Sequence, residues 1–121
     1  MSATLGSVSL IRSFGFALEG VSYLIRTQRS AQIEIAIGAV VIALAAWLRI
    51  TALEWAVLVL AMALVLALEA LNTAIELAVT LASPERHPLA KAAKDVAAAM
   101  VLIASIGAVF VGLLILGPRL F

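Results

Sequence analysis

Three polar side chains interrupt an apolar segment that is long enough to cross a bilayer. Glu69, Asn72 and Glu76 lie within the run 55–82. Ionisable groups at membrane depth are costly, and they usually face a cavity, a partner or a substrate. On a helix, Asn72 is displaced from Glu69 by about 60° and Glu76 by about 20°, so all three project into one sector. The spacing therefore predicts a single site.

The types of side chain in and near this site favour phosphoryl transfer. Two carboxylates about 10 Å apart along a helix axis can divide the work, because a deep one suits a general base and one nearer to water suits a cation. Lys94 and Asp95 open the next apolar run, where a lysine can meet a phosphate and an aspartate can hold a metal or orient that lysine. Phosphoryl transfer depends mainly on such positioning and charge neutralisation.

Two other interpretations of the same residues stay open at this point. In one, the protein is structural: Glu76 pairs with Lys94 to hold two helices together, and Asn72 hydrogen-bonds a neighbour. In the other, Glu69 and Glu76 relay protons or bind cations in a small oligomeric transporter subunit. The clustering of polar groups near one membrane face, with the Lys94-Asp95 pair, favours the enzyme, because a pathway through the membrane needs neither.

Composition indicates an integral membrane protein. Of 121 residues, 65% are hydrophobic and only 12% are charged, which lies outside the range of soluble globular domains. A net charge of +1 without a basic cluster argues against a nucleic-acid partner. The chain has no cysteine, which excludes disulfides and thiolate chemistry, and His87 is its only histidine, so no zinc site is predicted.

The hydrophobic pattern predicts an all-α membrane protein with one domain over residues 1–121. Residues of about 7–27 are predicted to form an amphipathic surface helix, because Arg12, Glu19 and Arg26 recur opposite an apolar stripe. Transmembrane helices are predicted at about 30–48, 54–82 and 89–117, with the last ended by Pro118.

The distribution of charge predicts the orientation of these helices. All lysines and arginines except Arg49 and Arg119 fall at one end of the predicted spans, and this end should face the cytoplasm. The polar site would then share a compartment with ATP. Three thin helices bury few groups against one another, and their polar side chains need shielding from lipid, so a homo-oligomer is also predicted.

Two motifs carry a family resemblance: Glu69-Ala-Leu-Asn-Thr-Ala-Ile-Glu76 and His87-Pro-Leu-Ala-Lys-Ala-Ala-Lys94-Asp95. Over nearly its whole length the chain resembles the small prokaryotic integral-membrane lipid kinases, the diacylglycerol kinase and undecaprenol kinase family. The resemblance implies a homotrimer in the bacterial cytoplasmic (inner) membrane, with composite active sites that face the cytoplasm. It also implies phosphorylation of a lipid alcohol by MgATP, and the second motif looks more like the undecaprenol kinase branch.

The resemblance also implies roles for the residues of both motifs, carried over by position. Glu69 looks like the general base that takes the proton of the lipid hydroxyl, and Asn72 looks like a polar organiser. Glu76 looks like a magnesium ligand. Lys94 looks like a phosphate contact, with Asp95 as its partner.

Outside these positions the resemblance is less direct. His87 matches a nucleotide-contacting position, although a loop histidine is as often merely solvated. Arg12 matches a family position on the surface helix, and it is counted here among the nucleotide-binding residues. Family members commonly carry glutamate as a second magnesium ligand where this chain has Gln28. The amide offers only a neutral carbonyl oxygen, so weaker metal binding is expected. Glu34 lies on a different helix face from Gln28 and is not expected to replace that ligand.

Overall fold

The computed structural model describes residues 3–121, with side chains from Ser9 onward. Four helices make up this range: α1 (Ala3–Thr27), α2 (Arg29–Leu48), α3 (Ala52–Ala82) and α4 (Pro88–Leu120). By length and composition, α2, α3 and α4 can each cross a membrane. The prediction of an all-α protein with an N-terminal helix and three spanning helices is therefore confirmed. The predicted domain covers residues 1–121, of which residues 1 and 2 lie outside the described part.

A single residue, Gln28, separates α1 from α2. Its backbone is extended, with φ −106° and ψ 109°, whereas the residues on both sides are helical. The last carbonyl groups of a helix lack partners within the helix. Here Gln32 Nε2 from α2 donates to the Ile25 carbonyl oxygen at 2.8 Å. A side chain of α2 thus caps the end of α1, which fixes Gln28 at the junction between the surface helix and the first span.

The turn between α2 and α3 is closed by local hydrogen bonds. Arg49 adopts the left-handed conformation at the end of α2, and its N–H donates to the carbonyl oxygens of Ala45 and Ala46. Thr51 and Glu54 then form a capping box at the start of α3. The Glu54 carboxylate also accepts two hydrogen bonds from the Arg119 guanidinium, at 2.6 and 2.5 Å. This ion pair joins the start of α3 to the end of α4.

The predicted end of the last helix at Pro118 is wrong, because α4 continues to Leu120. Proline removes one backbone donor from a helix but leaves the other donors in place. Two hydrogen bonds close the final turn around it: Arg119 Nη1 donates to the Ile115 carbonyl oxygen at 3.1 Å, and the Phe121 N–H donates to the Gly117 carbonyl oxygen at 3.0 Å. The Arg119 side chain thereby supplies a donor near the position where Pro118 removes one.

The packed core lies at the end of the molecule that contains this ion pair. Its buried members come from the end of α2, the turn that follows it, the start of α3 and the end of α4, and are Ala45, Ile50, Leu58, Ile115 and Leu116. The antiparallel pair of α3 and α4 has the most extensive packing, and α2 contacts it less closely. The loop that joins α3 to α4 lies at the opposite end of this pair, together with the polar residues of both helices.

Candidate functional site

One face of α3 carries the predicted cluster of polar residues. Glu69 is 3% exposed, and Thr73, one turn further along, is 5% exposed. Asn72 and Glu76 are half-buried. The Thr73 hydroxyl donates to the Glu69 carbonyl oxygen at 3.0 Å, so the helix itself satisfies this hydroxyl. Helical spacing brings the two carboxylates and the amide to one face, as the sequence predicts.

Three buried oxygen atoms near this face have no hydrogen-bond partner. They belong to three side chains: Glu34 Oε2, Glu69 Oε2 and Asn72 Oδ1. A buried acceptor without a donor costs free energy comparable to a lost hydrogen bond or more. All three atoms can accept a hydrogen bond or coordinate a hard cation. Their chemistry therefore suits a ligand that brings a hydroxyl group or a metal ion to the site.

Glu34 belongs to this site, although the sequence pattern did not predict it there. Its carboxyl group lies within hydrogen-bonding reach of the Glu69 carboxyl group, so α2 supplies a second acidic side chain to the α3 cluster. Two carboxyl groups this close need a proton, a donor or a cation between them. The sequence did contain a signal that could have identified Glu34. It is the only charged residue in the interior of α2, and charged residues within a membrane span are functional candidates by default.

A cleft of about 750 Å³ lies beside the loop that joins α3 to α4. Sites for small molecules typically have volumes of roughly 300–1,000 Å³, so the cleft is large enough for a nucleotide. Lys94 is half-buried in its wall, whereas Asp95 and His87 are exposed at its rim. The polar and charged side chains that line it include Thr80, Glu85, Arg86, His87, Lys91, Lys94 and Asp95.

Lys94 reaches from α4 to α3. Its Nζ donates to the Thr80 hydroxyl at 2.9 Å. The structural interpretation of the cluster requires an ion pair between Glu76 and Lys94, and no such pair occurs among the side chains described from Ser9 onward. The Lys94 cation is held by a neutral group, so its charge is not cancelled by that contact.

Asp95 has a different partner from the one that the resemblance implies. Its Oδ2 accepts from Lys91 Nζ at 2.6 Å, whereas the expected partner was Lys94. Adjacent residues on a helix point about 100° apart, and residues four apart share a face. Helix geometry therefore pairs Asp95 with Lys91 and directs Lys94 toward α3.

His87 caps the start of α4. Its backbone is extended, and its Nδ1 accepts the Leu89 N–H at 3.1 Å, with Pro88 at the first helical position. This contact uses one ring nitrogen for local structure. The ring also lines the cleft, so both a capping role and a contact with a ligand are compatible with its position.

The other two predicted ligand-binding residues lie on or next to α1. Gln28 is half-buried at the α1–α2 junction, and its Nε2 donates to the Thr27 hydroxyl at 3.1 Å. The carbonyl oxygen of its amide is the atom that a cation would use. Arg12 is exposed on α1 and does not line the cleft, so the structure does not bring it together with Lys94 and Asp95.

The donor set of the site suits magnesium. In the part of the chain that the structure describes, no three His, Asp or Glu side chains converge as a complete metal site. Magnesium ordinarily takes only one or two carboxylates from a protein and fills its other positions with water and phosphate oxygens. The Glu76 carboxylate and the Gln28 carbonyl group present hard oxygen atoms of this kind, and the unpartnered Asn72 Oδ1 is another oxygen donor on the same α3 face as Glu76.

Comparisons with known proteins agree on one family. The family described as "Prokaryotic diacylglycerol kinase" matches residues 15–116 of the chain. The chain is 47% identical over 113 residues to a Synechocystis protein named "Diacylglycerol kinase", a match that covers 93% of this chain and 65% of the relative. It is 38% identical over 109 residues to a Bacillus subtilis protein named "Undecaprenol kinase", covering 90% and 89% of the two chains. A Haemophilus influenzae protein named "Diacylglycerol kinase" is 34% identical over 116 residues, covering 94% and 98%. The chain thus spans about two thirds of the Synechocystis relative and most of the other two.

Proposed function

Because the chain belongs to the prokaryotic diacylglycerol kinase family, a family of lipid kinases, we propose that it transfers the terminal phosphate of ATP to the hydroxyl group of a membrane lipid alcohol. One observation supports this most directly. A buried carboxylate with an unpartnered oxygen, Glu69, lies on the helix whose end forms the wall of a cleft with basic side chains. A lipid hydroxyl can approach from the membrane, while a polyphosphate enters from water.

Glu69 is proposed to act as the general base. Its unpartnered Oε2 accepts the proton of the lipid hydroxyl, and the lipid oxygen then forms a bond to the terminal phosphorus of ATP. The bond from this phosphorus to the bridging oxygen breaks, and ADP leaves. Glu34 lies against Glu69, and Asn72 follows Glu69 by three residues on the same face of α3, so both side chains border the proposed base.

Lys94 is proposed to hold the phosphates. Its charge is uncancelled by the Thr80 hydroxyl, and its position in the cleft wall suits contact with a polyanion. Glu76 and Gln28 are the residues proposed to hold Mg²⁺, which neutralises phosphate charge when it is bound. Asp95 and His87 at the rim are proposed to position the nucleotide, and Arg12 is proposed to reach it from the surface helix.

We propose a homotrimer with its sites at the cytoplasmic face of the bacterial inner membrane. Large apolar side chains on all three spanning helices are exposed in the single chain, among them Ile37, Leu64 and Ile103. Such surfaces face either lipid or another subunit in a membrane. The excess of lysine and arginine at the end of the molecule that carries the cleft supports the cytoplasmic orientation.

Undecaprenol is the proposed acceptor, with diacylglycerol as the alternative. The proposal rests on the motif that runs from His87 to Asp95, which looks more like the undecaprenol kinase branch. The named relatives include both kinds of kinase. Both lipids present a primary hydroxyl at the interface, so the proposed roles of Glu69 and Lys94 hold for either acceptor.

A direct assay tests this function. Purified protein in mixed micelles, with labelled ATP and magnesium, should transfer label to undecaprenol and more slowly to diacylglycerol. Triacylglycerol, which lacks a free hydroxyl, is the matched control and should remain unlabelled. If neither alcohol is labelled, the proposed function is wrong; ion flux through proteoliposomes without ATP consumption would instead support the transporter interpretation.

The magnesium ligands give a separate prediction. Gln28→Glu should lower the magnesium concentration for half-maximal activity severalfold, because a carboxylate adds a charge to the ligand set. Gln28→Met keeps a side chain of similar length without the oxygen and should raise that concentration. Magnesium titrations of the two variants and the wild type test this. If all three curves coincide, Gln28 is not a metal ligand.

A further inference from the structure

We propose that Lys91 is a second phosphate-binding residue, which positions the nucleotide in the cleft by exchanging its contact with Asp95 for contacts with the triphosphate. This inference rests on the proposed function, because it concerns the same nucleotide. It assigns a role to a residue outside those that the family resemblance implicates. Three features of the start of α4 and of the cleft beside it support this inference.

The first feature is the charge balance of the cleft. Its lining contains three cations, Arg86, Lys91 and Lys94, and two anions, Glu85 and Asp95, so the net charge is +1 with histidine neutral. Without Lys91 the charges of this lining would cancel. A triphosphate carries several negative charges and needs a positive local field to bind. The lining keeps a net positive charge only while all three cations are present, and Lys91 is one of them.

The second feature is the exposure of the Lys91–Asp95 ion pair. The two side chains are 79% and 63% exposed, although their charged atoms lie only 2.6 Å apart. Water screens an exposed pair of this kind, which makes its net contribution small. Lys91 can therefore leave Asp95 at little cost when a more highly charged partner enters. Until then it keeps the Asp95 carboxylate from repelling phosphates.

The third feature is the position of Lys91 on its helix. α4 begins at Pro88 and has no acidic residue in its first turn, while Lys91 and Lys94 lie in its first two turns. The dipole of a helix favours anions at its N-terminus and disfavours cations there. The helix dipole disfavours both lysines at this end, and Asp95 offsets the charge of Lys91 alone, so a bound anion would relieve the remaining repulsion. Residues three apart share a helix face, so one phosphate chain can contact both.

The test compares Lys91→Gln with Lys91→Arg in the full-length protein. Lys91→Gln should raise the KM for ATP about fivefold, with kcat and the KM for lipid changed less than twofold. Lys91→Arg should stay close to the wild type. Direct binding of a non-hydrolysable ATP analogue with magnesium should weaken to the same extent in Lys91→Gln and depend less on salt, because one charge contact is lost. Binding of adenosine, which has no phosphate, should not change.

Two controls separate a direct phosphate contact from indirect effects of the substitution. Arg49→Asn removes a cation at the opposite end of the transmembrane helices. The backbone of Arg49 is left-handed, a conformation that asparagine tolerates, and the variant should leave the KM for ATP unchanged. In an Asp95→Asn background, Lys91→Gln should still weaken binding of the analogue. If its effect vanishes there, Lys91 acts only on Asp95 and the inference is overturned.

The inference and the proposed function fail in different ways. If the wild type binds the analogue but phosphorylates no lipid, the proposed function is wrong, while the binding data still test Lys91. If the wild type phosphorylates lipid and Lys91→Gln keeps the wild-type KM for ATP and salt dependence, the inference is wrong. An equal loss of adenosine binding would show that the substitution distorts the cleft, and this result would also overturn it.

Discussion

Replacement of Glu69 by glutamine should reduce kcat by about 10²–10⁴-fold, the usual contribution of a general base, with little change in the binding of ATP and lipid. The amide has nearly the same shape as the carboxylate but cannot take a proton from the hydroxyl at neutral pH. Glu69 is 3% exposed and no donor is hydrogen-bonded to its Oε2, although the Glu34 carboxyl group lies close by. Steady-state kinetics with both substrates, together with nucleotide binding, measure the effect.

Glu34→Gln is the matched control for this prediction. It removes a carboxylate that lies against Glu69 but leaves the proposed base in place. Its loss of kcat should be clearly smaller, since it changes the surroundings of the base without removing it. A loss as large as that of Glu69→Gln would assign the base to Glu34 or to the pair. Activity of Glu69→Gln within tenfold of the wild type would contradict the proposed mechanism.

Replacement of Lys94 by glutamine should lower kcat/KM for ATP by about 10²–10³-fold, which is the scale seen when a preorganised donor to developing charge is removed. The ammonium group is half-buried in the cleft wall, and its hydrogen-bond partner is the neutral Thr80 hydroxyl, so no anion in that contact offsets its charge. Water that fills the place of the ammonium group cannot supply a fixed charge. Kinetics at saturating lipid, with ATP varied, measure this loss.

Thr80→Val distinguishes the charge of Lys94 from its anchoring. The substitution removes the hydroxyl that accepts from Lys94 Nζ and retains the cation. Because a single hydrogen bond is worth about 0.5–1.5 kcal/mol net, kcat/KM should fall by at most about tenfold. If Thr80→Val lowers kcat/KM as much as Lys94→Gln does, then the role of Lys94 is its contact between α4 and α3 and not a contact with phosphate. A fully active Lys94→Gln variant would remove Lys94 from the site.

The comparisons of Glu69 with Glu34 and of Lys94 with Thr80 depend on contacts between helices. The sequence predicted such contacts less well than it predicted the helices themselves. The boundaries of α2 and α3 agree with the prediction to within two residues, because long apolar runs between polar turns define them. The end of α4 was misplaced at Pro118. The sequence shows the proline, but it does not show that the helix continues past it, with the Arg119 side chain donating to the Ile115 carbonyl oxygen of the same turn.

The site shows the same division. The alignment of Glu69, Asn72 and Glu76 on one face follows from helical periodicity alone, and the sequence predicted it. The approach of Glu34 to Glu69 requires a specific rotation of α2 against α3, which no periodicity within either helix specifies. The pairing of Asp95 with Lys91 could be read from a spacing of four residues, but the contact of Lys94 with Thr80 could not, because it crosses between helices.

The amino-acid sequence by itself determined the helices, their membrane-spanning length and the polar face of α3, since local spacing and composition control these properties. Only the tertiary structure decided which polar side chains meet: Glu34 with Glu69, Lys94 with Thr80, and Arg119 with Glu54. The physical reason is that such contacts depend on how neighbouring helices rotate and pack. Rotation and packing are set by the combined surfaces of several helices, whereas the repeat within one helix describes that helix alone.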